Sequence, residues 1–133
     1  MSVTIPVNVD NPYDVVVGRN LSKDVLQQVL RENTTKLLIV CAPHVSNYAL
    51  ECASQLEGLG YEVSTQILPD GEEAKTIEEM ASLWDCAGKF RLGRADALIA
   101  IGGGASTDVG GFLAASWLRG IDFIAVPTTL LGM

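Results

Sequence analysis

Apolar positions along this chain fall into two alternating kinds of run. Short blocks of β-branched and aliphatic residues, "VTIPV" (Val3–Val7) and "YDVVVG" (Tyr13–Gly18), predict two paired strands. "KLLIVC" (Lys36–Cys41) and "ALIAI" (Ala97–Ile101) are almost wholly apolar, the pattern of strands covered on both faces. "YEVSTQIL" (Tyr61–Leu68) and "DFIAV" (Asp122–Val126) predict two more strands. Between these blocks apolar residues recur every three or four positions, the helical spacing. Leu21, Val25, Leu26, Val29 and Leu30 share one such face, with Asn20 as the N-cap. Val45, Tyr48, Ala49, Cys52, Leu56 and Leu59 share the next, closed by Gly60 as a left-handed cap. Ile77, Met80, Ala81, Trp84 and Ala87 line a third, opened by a Thr76–Glu79 capping box. A fourth helix is expected from about Thr107 to Leu118.

Two strands followed by alternating helices and strands argue for a parallel sheet with helices on both faces. Right-handed connections are the steric default for such crossovers. The expected fold class is α/β, a doubly wound and mostly parallel sheet in one unit, without repeats or linkers.

Composition narrows the function. A length of 133 residues suits one domain with a real core, and 48% hydrophobic residues exclude a disordered chain. The net charge of -7 and pI near 4.5 oppose a phosphate polymer, so nucleic acid is not an expected partner. No apolar run approaches the roughly 20 residues of a membrane span, and the first residues lack signal-peptide features. No membrane partner is expected, and the expected compartment is the cytoplasm. Cys41, Cys52 and Cys86 are odd in number and scattered, which fits reduced thiols and offers no zinc pattern. Cys52 falls on an apolar helical face and is read as packing. The single histidine, His44, follows a strand and reads as a cap, a surface residue or a ligand contact.

The candidate chemistry sits in "IGGGASTD". Gly102, Gly103 and Gly104 lie between a buried strand and a helix, at the edge where doubly wound sheets bind ligands. Bare backbone allows close approach, and a helix N-terminus offers free N–H groups to a phosphate. A tight turn with close helix packing is the competing reading. The pattern is not the usual dinucleotide fingerprint, because Thr107 holds the sixth place, and no Lys-Ser/Thr pair makes a Walker loop. Asp108, expected in the first helical turn, is either a carboxylate complementing the helix dipole or an acceptor for ligand hydroxyls. Gly110 and Gly111 within the helix each cost about 1 kcal/mol against alanine, which suggests close packing. Two further polar loops follow strands at the same edge. "LPDGEEAK" carries Asp70, Glu72, Glu73 and Lys75, and "PTT" carries Thr128 and Thr129. Each reads either as turn and capping chemistry or as ligand contact.

"LPDGEEAK" and "IAIGGGASTDVGGFLAASWLRGIDFIAVPTTLLGM", at this spacing, resemble the 3-dehydroquinate synthase family, over nearly the whole chain and most closely from Leu68 onward. The resemblance implies a Rossmann-like NAD-binding domain, followed in the family by a helical metal-binding domain. It implies conversion of 3-deoxy-D-arabino-heptulosonate 7-phosphate to 3-dehydroquinate and phosphate, in the shikimate pathway to aromatic amino acids. The implied cofactors are NAD, which oxidises and then re-reduces a ring hydroxyl, and a divalent metal, zinc or cobalt. The implied cofactor-binding residues are Asp70, Gly71, Glu72, Glu73, Ala74 and Lys75 on the adenosine side. They continue with Gly103, Gly104 and Ala105 at the pyrophosphate, Ser106 and Thr107 beside them in the same loop, Asp108 toward the nicotinamide ribose and substrate, and Thr128 and Thr129 near the reactive end. Arg119 resembles the arginine that reaches a partner subunit's substrate phosphate, which implies a homodimer.

This sequence departs from the family pattern in three places. "CAPHV" stands where most members carry an aspartate after the strand, which puts the adenosine ribose contact in doubt or shifts it to Pro43–His44. "ASTD" stands where many carry "VVGD", with the aspartate in the same place. The lysine-bearing stretch after "PTTLL", and the later Glu and two His metal ligands, are not in the sequence. The expectation is therefore that residues 1–133 are the NAD-binding part of such a synthase, ending before the family's cofactor domain does. Such a chain holds no complete catalytic set and no metal site, and would be inactive alone. A non-catalytic NAD-binding or dimerisation module is the alternative, as is part of a related sugar phosphate cyclase or a metal-dependent alcohol or glycerol dehydrogenase.

Overall fold

The structure, a computed structural model, describes residues 2–19 and 23–133, with Lys23 as backbone only. The expected Asn20 cap and Leu21 lie outside the described residues.

Strands β1 (Ser2–Val7) and β2 (Tyr13–Gly18) pair antiparallel as a separate two-stranded ribbon. The other strands are β3 (Lys36–Cys41), β4 (Glu62–Ile67), β5 (Ala97–Gly102) and β6 (Asp122–Pro127). They form one parallel sheet in the order β4-β3-β5-β6. The helices are α1 (Lys23–Val29), α2 (Ser46–Gly58), α3 (Ile77–Phe90) and α4 (Gly104–Ser116). The doubly wound fold expected from the sequence is the one observed.

Alternation along the two central strands makes both faces apolar. Leu38, Val40, Leu98 and Ala100 point to one face and pack with Leu83 of α3 and Leu113 of α4. Leu37, Ile39, Ile99 and Ile101 point to the other and pack with Ala49, Cys52 and Leu56 of α2. Burial of each large aliphatic side chain contributes about 1.5–3 kcal/mol, so β3 and β5 dominate the core. Cys52 is buried there, as expected.

Three helical faces differ from the periodic reading. On α1, Leu26 and Leu30 sit one turn apart against the core, while Val29, about 100° round the helix from Leu30, is exposed. On α2, Tyr48 is exposed at 41%, since Ala49, Cys52, Ala53 and Leu56 form the buried stripe. On α3 the buried stripe is Met80, Leu83 and Ala87, with Trp84 beside it. Ile77, the first residue of the helix, is 68% exposed, and Ala81 faces out. The Thr76 hydroxyl accepts from the Glu79 N–H at 3.1 Å, so this cap forms as expected. Gly60 takes φ +101° after α2, the left-handed position anticipated for it.

At the amino edge of the sheet, the buried Asp96 carboxylate ties the loops together. It accepts from the N–H groups of Gly93 (2.7 Å), Lys36 (2.9 Å) and Thr35 (3.1 Å). Helix α4 runs from the opposite, carboxyl edge back toward this one. It starts at Gly104, three residues before the expected Thr107.

The two glycines inside α4 are not equivalent. A Cβ on Gly110 would lie 2.6 Å from the Ala100 Cβ, while one on Gly111 would meet Phe123 at an ordinary 3.5 Å. Gly111→Ala should therefore gain about 0.5–1 kcal/mol from helix propensity. Gly110→Ala gains the same propensity but should lose more, about 1–3 kcal/mol, by overpacking β5. Urea unfolding of both variants checks this, and stabilisation by Gly110→Ala would contradict the packing described.

Candidate functional site

The strand order creates the site. After β3 the chain turns into α2 on one face, and after β5 it turns into α4 on the other. Adjacent parallel strands whose connections leave in opposite directions open a crevice at their carboxyl ends. Here the crevice is a cleft of about 490 Å³, bordered by His44, Asp70, Lys75, Gly103, Gly104 and Thr129 among others.

Each of the three consecutive glycines has its own reason. Gly102 adopts φ +154°, and a Cβ there would fall 2.5 Å from the Ser106 Oγ. The fold itself needs that glycine. Gly103 is the N-cap of α4, and a Cβ there would meet the Thr129 methyl at 3.2 Å, a tight contact. Gly104 is different, because a Cβ there would meet no protein atom within 4 Å. Its backbone borders the cleft, so the missing side chain leaves space for something outside the fold.

That space faces hydrogen-bond donors. The first helical bond of α4 closes from the Thr107 N–H to the Gly103 carbonyl at 3.1 Å. The N–H groups of Gly104, Ala105 and Ser106 precede it and have no partner within the helix. They carry the positive end of the helix dipole. The Thr107 hydroxyl donates back to the Gly104 carbonyl at 3.1 Å, and Ser106 is buried under Gly102.

Asp108 stands in the second turn of α4, not the first, because the helix begins at Gly104. A carboxylate there is too far along to complement the dipole. It instead accepts from the Lys75 ammonium at 2.8 Å, and Lys75 also reaches Glu72 at 3.2 Å. Hydrogen bonding to Asp108, then to Glu72, raises the Lys75 pKa above the ordinary lysine value. The contact is fully present below that ordinary value and is lost as pH rises through the raised one. Lys75 is therefore a cation throughout the neutral range, already engaged by two carboxylates.

The loop carrying these charges is a 3₁₀ turn, Gly71–Ala74, after β4. Asp70, Gly71, Glu72 and Lys75 border the cleft. Glu73 is exposed outside it, and Ala74 is buried in the core beneath. Among the residues of "PTT", Thr129 borders the cleft and accepts from the Gly132 N–H at 3.1 Å. Thr128 lies behind it, its N–H donating to the Gly102 carbonyl at 2.8 Å. Arg119 is not brought to this cleft. It precedes β6, in a left-handed run with Leu118 and Gly120, at the amino edge of the sheet. The 13 residues of α4, about 20 Å, separate it from Gly104.

Sequence reasoning did not place Ala42 and Gly132 on the cleft, and it left His44 open. His44 lies on a 3₁₀ turn, Pro43–Val45, directly after β3. Its position follows only once β3 and β5 are known to be neighbours, and strand order is not written in local sequence.

The cleft thus sets the unpaired backbone donors at the start of α4 and the open space at Gly104 beside the acceptors of Asp70. Among the described residues no group of three His, Cys, Asp or Glu side chains is placed to hold a metal ion. No helix among them is long and apolar enough to cross a membrane.

Fold and site together define a doubly wound α/β domain with a polar cleft at its switch point. The chain belongs to the 3-dehydroquinate synthase family: the family profile described as "3-dehydroquinate synthase N-terminal" matches residues 65–133. It is 44% identical over 131 residues to 3-dehydroquinate synthase of Mycobacterium leprae (strain TN), covering 98% of this chain and 36% of that protein. The chain thus spans about 36% of the length of the curated relatives it matches. Among solved structures it is similar to 2-deoxy-scyllo-inosose synthase complexed with carbaglucose-6-phosphate, NAD+ and Co2+. That match has TM-score 0.85 and 26% identity, over 98% of this chain and 36% of that one. It is also similar to 2-epi-5-epi-valiolone synthase from Streptomyces hygroscopicus subsp. jinggangensis 5008 with NAD+ and Zn2+ bound. There the TM-score is 0.77 and the identity 30%, over 96% of this chain and 36% of that one.

The glycine assignments separate fold from ligand. Gly102→Ala should destabilise the chain by about 1–3 kcal/mol, through strained φ and the Ser106 clash. Gly104→Ala should leave stability unchanged or slightly higher, since nothing opposes its Cβ. Thermal melts of the two variants test the distinction, and a large loss in Gly104→Ala would remove the argument for a ligand space.

Proposed function

We propose that this chain is the NAD-binding part of a 3-dehydroquinate synthase, the enzyme that forms 3-dehydroquinate and phosphate from 3-deoxy-D-arabino-heptulosonate 7-phosphate in the cytoplasm. The observation that carries the cofactor reading is Gly104, whose bare backbone borders open space at the start of α4. The family match from residue 65 onward supports the choice of synthase. NAD bound there would supply reversible hydride acceptance.

The chain's own residues bind and orient. Backbone N–H groups of Gly104, Ala105 and Ser106 receive the pyrophosphate, with Gly103 and Thr107 completing the loop. Asp70, Gly71 and Glu72 face the adenosine side. Lys75 joins this loop to Asp108, so the two face one stretch of ligand toward the nicotinamide ribose and the substrate. Thr129, with Thr128 behind it, borders the reactive end. Arg119, remote from its own cleft, serves the substrate phosphate of a partner subunit. The full reaction would need a divalent metal such as zinc or cobalt, for which none of these residues is proposed as a ligand, and the 133 residues alone are expected to be inactive.

A specific observation favours association of two copies. Val3, Ile5, Tyr13, Val15 and Val17 lie on one face of the β1–β2 ribbon and are 41–58% exposed. A two-stranded ribbon with an uncovered apolar face is not stable by itself in water. The second reading, a non-catalytic dimerisation module, rests on the same surface. Light scattering should give a defined dimer, and a monodisperse monomer would contradict both dimer proposals.

Calorimetric titration with NAD tests the cofactor site. Binding should be present, abolished by Gly104→Val and weakened about tenfold or more by Asp108→Ala. Undiminished binding by a folded Gly104→Val variant would overturn the assignment. Measurable 3-dehydroquinate formation by the metal-supplemented chain would overturn the prediction that it is inactive alone.

A further inference from the structure

The cleft has an electrostatic peculiarity. Its bordering carboxylates are Asp70, Glu72 and Asp108, and its bordering ammonium is Lys75. Lys75 is held by Glu72 and Asp108, so its charge is already countered. A ligand bearing a pyrophosphate therefore enters a site of net negative side-chain charge. The helix N–H groups are fixed donors and cannot change that balance.

His44 can. It is exposed, borders the same cleft, and no hydrogen bond or ion pair among the described residues engages its ring. The backbone beneath it is firmly set. Pro43 opens its 3₁₀ turn, the Ala42 N–H donates to the Ile101 carbonyl at 3.0 Å, and the Val45 N–H donates to the Ala42 carbonyl at 3.2 Å. The backbone that carries the imidazole is thus fixed next to β5 at the switch point, and the ring itself borders the cleft.

We infer that His44 is the variable positive charge of this cleft, so that binding of a pyrophosphate-bearing ligand takes up a proton there and tightens as pH falls. The inference rests on the dinucleotide reading above. The sign follows from linkage: an anion favours the imidazolium, so the protonated form binds more tightly and affinity declines toward higher pH.

Other groups facing this region leave the assignment to His44. From the turn after β4 come Asp70, Glu72 and Lys75, and from α4 comes Asp108. Lys75 is held by Glu72 and Asp108, which raises its pKa and keeps it a cation through the neutral range. On α2, which follows His44 in the chain, the nearest titratable side chains are Tyr48, Glu51 and the core residue Cys52. Burial pushes the Tyr48 hydroxyl and the Cys52 thiol further up, away from that range. Burial does the same for Cys41 at the end of β3. The turn Thr129–Gly132 brings no titratable side chain. His44 is also the only histidine in the chain.

The experiment is calorimetric titration of the 133-residue chain with NAD at several values between about pH 5.5 and 8, in buffers of differing ionisation enthalpy. The expected result is affinity about tenfold higher at the acid end, with fractional proton uptake near the middle. His44→Gln, checked by melting for an intact fold, should bind with no pH slope and no proton uptake. A flat profile in the parent chain, or a slope that survives in His44→Gln, overturns the inference while leaving the dinucleotide reading in place. Absence of NAD binding at every pH overturns both.

Discussion

Helix α4 lies on strand β5 more closely than side chains normally allow. Gly110 approaches Ala100 where a Cβ would stand 2.6 Å away, and Gly102 approaches Ser106 where a Cβ would stand 2.5 Å away. Two hydrogens in place of methyl groups let the helix settle at both contacts. That seating fixes where the helix begins, and the helix start is one wall of the cleft. The neighbouring turn, Thr129–Gly132, then packs against the same backbone, since a Cβ on Gly132 would be 3.4 Å from the Gly104 nitrogen. Position, orientation and donor set of the site all descend from one close contact between a helix and a buried strand.

The opposite edge of the sheet is built by different means. The Asp96 carboxylate gathers three backbone N–H groups, and the Arg31 guanidinium grips Asp122 at 2.7 and 2.9 Å. Lys36 donates to the Phe90 carbonyl at 2.8 Å and lies over its ring. Here side chains satisfy backbone groups, and polar atoms are consumed internally. At the carboxyl edge the N–H groups at the start of α4 and the rings and carboxylates of His44 and Asp70 remain available. A sheet with one edge closed by its own side chains and the other left with spare donors and acceptors has a direction for function.

Much of this was legible in the sequence. Apolar blocks and helical spacing locate six strands and four helices, and the glycine triplet locates the carboxyl edge where the cleft opens. The errors share a physical origin. The start of α4 is hidden in the sequence because Gly103 caps it with no side-chain signal, and the earlier start puts Asp108 in the second turn. Ile77 and Val29 fit the apolar spacing yet are exposed, because the buried stripes of their helices run through other positions. The place of His44 depends on β3 pairing with β5, a contact between residues about sixty positions apart. Ala74 and Glu73 share one loop, yet one is core and the other solvent, which the 3₁₀ turn decides rather than the motif.

The central claim is that the bare start of α4 receives the phosphates of a dinucleotide. The most direct measurement is the amide nuclear magnetic resonance spectrum of the isotope-labelled chain as NAD is added. The account predicts the largest, saturable shifts at Gly104, Ala105 and Ser106, with smaller ones around Asp70 and little change along the β1–β2 ribbon. Saturable binding that leaves those three amides unmoved, with shifts centred elsewhere, would contradict it.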